Sequence, residues 1–304
     1  MAVDPVALVL NPASRGAQRA RREVVIACAE AGMPPPEIRS TTVAEPGAAQ
    51  ARELLALGCT RVVVAGGDGT LREVAGAVGD RAVLGVVPCG TANLAARNLG
   101  LPLRSTTAAA RLAVAGPGRR VDLGRVEASH EDGSSTSLPF LVVVGVGQDA
   151  EVLATMIPEA KRRLGWLAYV TPGLSRLRRP GRPVGLRVDD AAEQEEPAWS
   201  VLAVNGGRLP LGARLVPGAR MDDGLLHVAV VGPRRLADWG RVAATGLGAP
   251  HREHPALRYR QGRVAVLRLG APGPVQVDGD VLPGCVSARV EIRPGGLRVA
   301  APTT

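Results

Sequence analysis

The chain has 304 residues, a formal net charge of +9 and hydrophobic side chains at 46% of its positions, enough length for about two domains with packed cores. Aromatic residues make up only 2%, which excludes a base-stacking nucleic-acid platform, because such platforms need Phe, Tyr or Trp on a sheet face. No apolar run approaches the ~20 residues that a spanning helix requires.

The positive charge is arginine, with Lys161 the lone lysine. An Arg-heavy balance suits phosphate and anionic surfaces; GC-rich coding produces the same bias. Cys28, Cys59, Cys89 and Cys285 show no C-x-x-C pairing and fall in or beside apolar segments. They read as reduced core thiols of a cytoplasmic protein. Met1–Leu10 is broken by Asn11-Pro12 too early to read as a signal peptide.

The first part of the chain alternates strand and helix. Val6–Leu10 predicts a strand, Ala17–Ala31 a helix, Glu37–Thr41 a strand, Ala48–Leu57 a helix and Arg61–Ala65 a strand. Leu71–Val78 predicts a helix, Ala82–Val87 a strand, and Leu94–Leu99 and Thr106–Val114 two more helices. This βαβ alternation predicts a mostly parallel sheet over residues 1–122. From Arg120 onward, and through the expected second domain of residues 123–304, strands dominate: Arg120–Ala128, Pro139–Val144, Val184–Val188, Trp199–Val204, Leu225–Val231, Arg263–Leu269, Val275–Val277, Ala288–Ile292 and Leu297–Val299. Helical patterns interrupt them at Asp149–Leu177 and Pro233–Leu247, and acidic Asp189–Glu196 reads as a hairpin tip. The expectation is a nucleotide-binding α/β domain followed by an antiparallel β-sandwich whose last residues return to the first domain.

Arg-Val-Val-Val-Ala-Gly-Gly-Asp-Gly-Thr (Arg61–Thr70) is the most pointed stretch. A buried strand feeds a glycine turn and then a helix, the ordinary place for a nucleotide phosphate in an α/β sheet. Gly66, Gly67 and Gly69 permit positive φ and close backbone approach, and Thr70 with Glu73 matches a capping box. Asp68 repels a phosphate unless a divalent cation lies between, so it reads as a metal or water-network residue. Two further loops, Asn11–Gly16 and Pro88–Asn93, leave the ends of predicted strands and bring Asn11, Ser14, Arg15, Gly90, Thr91 and Asn93 to the same sheet edge. Plain turn, cap or solvated-loop roles account for each of these residues taken singly. The same holds for Asp223 and Asp278, because Asp-Gly is also a strong hairpin signal. His251 and His254 lie between prolines and do not suggest a metal site.

These residues together resemble the diacylglycerol kinase catalytic family. The motifs are Asn11-Pro12 with Ser14 and Gly16, Gly66–Thr70 with Glu73-Val74, Gly90-Thr91-Ala92-Asn93, Val121-Asp122-Leu123-Gly124, Asp223-Gly224-Leu225-Leu226 and Asp278-Gly279-Asp280. They keep the order and rough spacing of that family's soluble bacterial lipid kinases, from Val6 to about Val299. The resemblance implies an active site in a cleft between two domains and ATP over Gly66–Thr70, with Thr91 and Thr42 near it. It implies Asp280 as general base, a structural Mg²⁺ on Asp223 with backbone carbonyls of Arg220 and Leu225, and Asp68 and Asp122 in a carboxylate–water–Mg²⁺ network. The acceptor would be a diacylglycerol-like lipid, reached by a cytoplasmic, peripherally membrane-associated enzyme; a homodimer is compatible with it, and no nucleic-acid partner is expected. The basic and apolar stretches Lys161–Tyr169 and Ser175–Arg179 read either as an interfacial helix on anionic lipid or as a core helix with a solvated basic face.

The chain departs from the family in two loops. Leu94 stands where many members carry Asp after Gly-Thr-x-Asn, and Gly206–Gly212 is less glycine-rich than usual. Asp280 replaces a more frequent Glu. The alternatives are an NAD kinase-like enzyme, against which the lack of a middle-region Asn-Glu pair weighs, and a non-catalytic lipid- or nucleotide-binding protein.

Overall fold

A computed structural model describes residues 5–154, 179–247 and 254–302. The chain divides into two compact units, one of residues 1–123 and 294–304, the other of residues 124–293.

In the first unit β1 (Val6–Leu10), β2 (Glu37–Ser40), β3 (Arg61–Gly66) and β4 (Val83–Pro88) form a parallel sheet in the order β2-β1-β3-β4. β1 and most of β3 are buried at every position, so their sequences read as continuous apolar runs rather than alternating ones. Helices α1 (Ala17–Glu30) and α5 (Thr106–Ala115) cover one face, packing Ala20, Val24, Ala109 and Ala113 against Leu8, Val63 and Val87. Small residues set the spacing: a Cβ on Gly85 would stand 2.6 Å from the Ala113 carbonyl oxygen. Between them in sequence lie α2 (Ala48–Ala56), α3 (Asp68–Val78) and α4 (Leu94–Asn98). Ser105 caps α5, its Oγ accepting the Ala108 N–H at 3.1 Å.

The second unit is an antiparallel sandwich. Its strands are the outer part of β5 (Gly118–His130), β6 (Ser135–Phe140), β7 (Val143–Gly147), β8 (Arg182–Val188), β9 (Gln194–Ala198), β10 (Ser200–Val204), β11 (Leu226–Val231), β12 (Leu257–Gly262), β13 (Val264–Val277) and most of β14 (Asp280–Ala300). One run of neighbours is β12-β11-β10-β7-β13-β14, while β8 pairs both β13 and β9. Alternate positions such as Val144, Val146, Val201, Val228, Leu267 and Val290 fill the core. The chain's one Phe, Phe140, lies opposite Gly124 in the β5–β6 register, and its ring occupies the space a Cβ there would need. Helix α6 (Gln148–Ala154) follows β7, and α7 (Leu236–Gly246) follows β11.

Several expected boundaries are corrected. Arg263–Leu269 and Val275–Val277 are one strand, β13, with register shifts between Arg268 and Val275 where Gly270, Gly273 and Pro274 interrupt regular pairing. Likewise Ala288–Ile292 and Leu297–Val299 lie on one strand, β14, whose end pairs in parallel with β4 through Arg298 and Val299 in the first unit. The acidic hairpin tip is shorter than expected. Glu195 and Glu196 already belong to β9, and Glu196 is buried, with Arg258 and Arg260 of β12 paired to it. The expected interfacial stretch Lys161–Tyr169, most of Ser175–Arg179, and His251 lie outside the described residues.

Candidate active site

β1, β3 and β4 are adjacent in the first sheet, so the loops that leave their C-terminal ends are neighbours, where open α/β sheets bind ligands. The loops are tied by specific bonds. Asn11 N–H donates to the Ala65 carbonyl at 2.9 Å, and Cys89 N–H to the Gly66 carbonyl at 2.9 Å. The Asn11 side-chain amide donates to Thr70 Oγ1 at 3.0 Å. Gly67 and Gly90 meet backbone to backbone, since a Cβ on Gly90 would lie 2.7 Å from Gly67 Cα. Asn93, at φ 46°, closes its own loop: its Oδ1 accepts Gly90 N–H at 2.9 Å and its Nδ2 donates to the Gly90 carbonyl at 2.7 Å. Asp68 Oδ1 accepts the Ala95 N–H at 3.3 Å, so this carboxylate serves the first turn of α4.

Two sequence expectations about this turn are corrected. Gly66, Gly67 and Gly69 are not among the positive-φ glycines, and Gly67 is extended at φ −92°. Crowding is what requires glycine here: a Cβ on Gly66 would stand 2.9 Å from Thr70 Cβ. The Thr70–Glu73 capping box does not form. Helix α3 starts at Asp68 with Gly67 as N-cap and no side-chain cap, Thr70 is turned to Asn11, and Glu73 pairs with Arg72 at 3.0 Å. Helix α1 also starts without a side-chain cap, at Gly16, and without an acidic residue in its first turn. Uncapped helix starts present N–H groups suited to an anion.

Ser14 is half-buried in the first loop, its N–H donating to the Asn11 carbonyl at 3.1 Å. Thr42 is exposed beyond β2 and spends its hydroxyl on Glu45 N–H at 3.0 Å. Thr91 is exposed at the tip of the third loop. Asp122 is buried, and its Oδ1 accepts the Gly295 N–H at 2.8 Å, fastening the returning end of β14.

In the second unit Asp223 organises a turn. Its carboxylate accepts the Arg220 N–H at 3.1 Å and the Leu225 N–H at 3.0 Å. His227 Nε2 lies 2.8 Å from Asp223 Oδ2, and Gln261 Nε2 lies 3.2 Å from His227 Nδ1. The His227 ring is thus held from both edges, by Asp223 at Nε2 and by the Gln261 amide at Nδ1. One carboxylate completed by backbone oxygens and water is a donor set of the kind Mg²⁺ accepts. Among the described residues no group of three or more His, Cys, Asp or Glu gathers as a metal cluster.

Asp278 and Gly279 form the two-residue link between β13 and β14, at φ 48° and 90°, the positive pair that a type I′ hairpin requires. Asp278 does more than turn the chain. Its carboxylate accepts three successive N–H groups, Leu141 at 2.6 Å, Val142 at 2.9 Å and Val143 at 2.9 Å. Asp280 is the exposed first residue of β14, next to this pinned turn. Sequence reasoning missed Asp149, at the start of α6. Desolvation pushes its carboxyl up to about 6, against bonds from Ser200, Gln276 and the amide of Ala150 that pull it down. The four cysteines are all free thiols, three of them buried, and burial raises the pKa of each.

A parallel sheet with a loop edge of this kind, followed by an antiparallel sandwich, is an architecture shared with solved kinase structures. The solved structure of a diacylglycerol kinase from Bacillus anthracis superposes with a TM-score of 0.74 at 21% identity, over 99% of this chain and 98% of that one. Yeast NADH kinase superposes with a TM-score of 0.53 at 12% identity, over 100% of this chain and 85% of that one. The family model of the diacylglycerol kinase catalytic domain matches residues 5–126, and that of the YegS C-terminal NAD kinase beta sandwich-like domain matches residues 142–301. A Pseudomonas aeruginosa protein named "Probable lipid kinase YegS-like" is 34% identical over 98% of this chain and 95% of its own length. A Bacillus subtilis diacylglycerol kinase is 27% identical over 73% of each chain. The chain belongs to the diacylglycerol kinase family, among its YegS-like lipid kinases.

Proposed function

We propose that the chain transfers the γ-phosphoryl group of ATP to the hydroxyl of diacylglycerol or a related lipid. The observation that carries this reading is the uncapped start of α3 at the shared edge of three knit loops, in a chain of this kinase family. The amides at that helix start and the close backbone of Gly66, Gly67 and Gly90 cradle the phosphates. Asn11, Ser14, Thr42, Thr91 and Asn93 complete the nucleotide side, with Asn11 and Asn93 already fixed by the loop bonds. Asp280 accepts the proton of the lipid hydroxyl as its oxygen bonds the γ-phosphorus and the bridging bond to ADP breaks. Asp223, with the carbonyls of Arg220 and Leu225, would hold Mg²⁺, and Asp68 and Asp122 would take part in a carboxylate–water–Mg²⁺ network. When bound, that ion offsets the negative charge of carboxylates and phosphates. The Gly206–Gly212 loop shapes acceptor choice. Reaching such an acceptor requires contact with an anionic bilayer surface.

The test is phosphate transfer from labelled ATP with Mg²⁺ to mixed micelles of diacylglycerol, phosphatidylglycerol, ceramide or sphingosine, with NAD as soluble control. A labelled lipid, reduced by about 10²- to 10⁴-fold in Asp280→Asn with ATP binding retained, is the expected result. Labelled NADP would instead favour the NAD kinase-like reading, which the fold likeness to yeast NADH kinase keeps specific. ATP binding with no product would favour a binding protein.

A further inference from the structure

We propose that Gln276 is a positioning residue for Asp280, fastening the turn that carries this carboxylate to Asp149 at the start of α6; the inference rests on the reading of Asp280 as the base. Gln276 is 5% exposed and sits on β13 just before the Asp278-Gly279 turn. Its Oε1 accepts the Gly279 N–H at 3.1 Å. Its amide nitrogen lies beside the Asp149 carboxylate, the two crowding the same side of the Gly145 backbone, and pulls that carboxyl down. Asp149 is held in turn by Ser200, which is 1% exposed: the Ser200 hydroxyl donates to Asp149 Oδ1 at 2.6 Å and accepts the Asp149 N–H at 3.0 Å. The chain thus runs Ser200, Asp149, Gln276, Gly279, and the next residue is Asp280.

The backbone opposite makes room for this chain. Gly145 of β7 is the register partner of Gln276. A Cβ on Gly145 would lie 2.9 Å from Gln276 Nε2 and would collide with Asp149 Oδ2. Any other residue at 145 would push the carboxylate and the amide apart.

Burying a carboxylate and an amide inside a sandwich costs free energy that an apolar pair would not. The hairpin does not need them in order to turn, because Asp-Gly already forms a type I′ link. Asp278 is fixed by three amides. The Gln276 bond adds a hold on the amide of Gly279, the residue between Asp278 and Asp280. A base must be held within a fraction of an ångström of its proton, and misplacement by about 1 Å costs about 10²-fold.

The experiment measures kcat and KM for lipid phosphorylation, with thermal unfolding alongside, in wild type, Gln276→Met, Gln276→Glu and the exchanged pair Asp149→Asn with Gln276→Glu. Gln276→Met is expected to lower kcat by about 10²-fold with KM for ATP within about twofold. Gln276→Glu alone sets two carboxylates together and is expected to be equally poor. The exchanged pair is expected to recover at least about tenfold over Gln276→Glu, because the new carboxylate accepts from Gly279 while the new amide donates to it. Wild-type kcat in Gln276→Met, or no recovery in the exchanged pair, overturns the inference alone. Should Gln276→Met not fold, the comparison of Gln276→Glu with the exchanged pair decides. A wild-type enzyme that phosphorylates no lipid overturns the functional reading, and the inference with it.

Discussion

Asp149 gives a prediction independent of any activity. Its ordinary value of 3.8 is raised to about 6, chiefly by desolvation. The groups that bond it are neutral: the Ser200 hydroxyl, the Gln276 amide and backbone N–H groups. At pH 5 the folded protein therefore holds a proton that the unfolded chain has released. The stability conferred by that proton is complete below about pH 4 and is lost as pH rises through about 6. A gap of about two units corresponds to roughly 3 kcal/mol, at about 1.4 kcal/mol per unit, and residual exposure of Asp149 makes this an upper value. Asp149→Asn removes the titration while keeping a polar side chain of the same size. Urea unfolding of both proteins between pH 4 and pH 7 at fixed salt, followed by tryptophan fluorescence, measures the difference. Trp199 and Trp239 stack edge to face at 4.9 Å in the second unit, so the signal reports on the fold that holds Asp149. Wild type should lose up to roughly 3 kcal/mol relative to Asp149→Asn across that range. A difference constant with pH, or one that grows in favour of wild type, would refute the reasoning.

Two further perturbations address the frame of the site. Gly90→Ala would place a methyl group against Gly67 Cα and Asn93 Oδ1; the overpacking should cost about 1–3 kcal/mol in thermal unfolding and weaken ATP binding measured by calorimetry. An unchanged melting curve with full ATP affinity would show that the loops do not depend on this contact. Asp278→Ala leaves the amides of Leu141, Val142 and Val143 without their acceptor, and urea unfolding should show a loss of about 2–4 kcal/mol. A loss within about 0.5 kcal/mol would mean that water replaces the carboxylate.

The first unit was readable because its strands are short, β-branched and buried on both faces, so β1 and β3 begin and end where the apolar runs do. The three loops were readable for the same reason, each following the end of such a run. What happens inside the loops was not. Thr70 and Glu73 match a capping box by spacing, yet Thr70 is claimed by Asn11, a partner distant in sequence. Glycines that looked chosen for conformation proved to be chosen for contact, which depends on Gly67 and Gly90 meeting across two loops. In the sandwich, Gly and Pro inside β13 and β14 look like strand ends, because local punctuation carries no sign that pairing resumes beyond it. Asp149 and Gln276 carry no local signal at all. Only Gly145, a glycine within an apolar strand, hints that something must pass close to the backbone.

The return of β14 to pair with β4 has a consequence for biosynthesis. Residues 1–123 leave the ribosome long before residues 294–304, so the outer rim of the parallel sheet waits, its hydrogen-bonding groups facing outward, until that later segment has been made. An exposed rim of that kind invites pairing with another nascent chain. Chains cut short before Arg298 lack the strand that covers it, whatever the state of their sandwich. The rim of β4 is thus shielded from neighbouring chains only when Arg298 and Val299 arrive to pair with it.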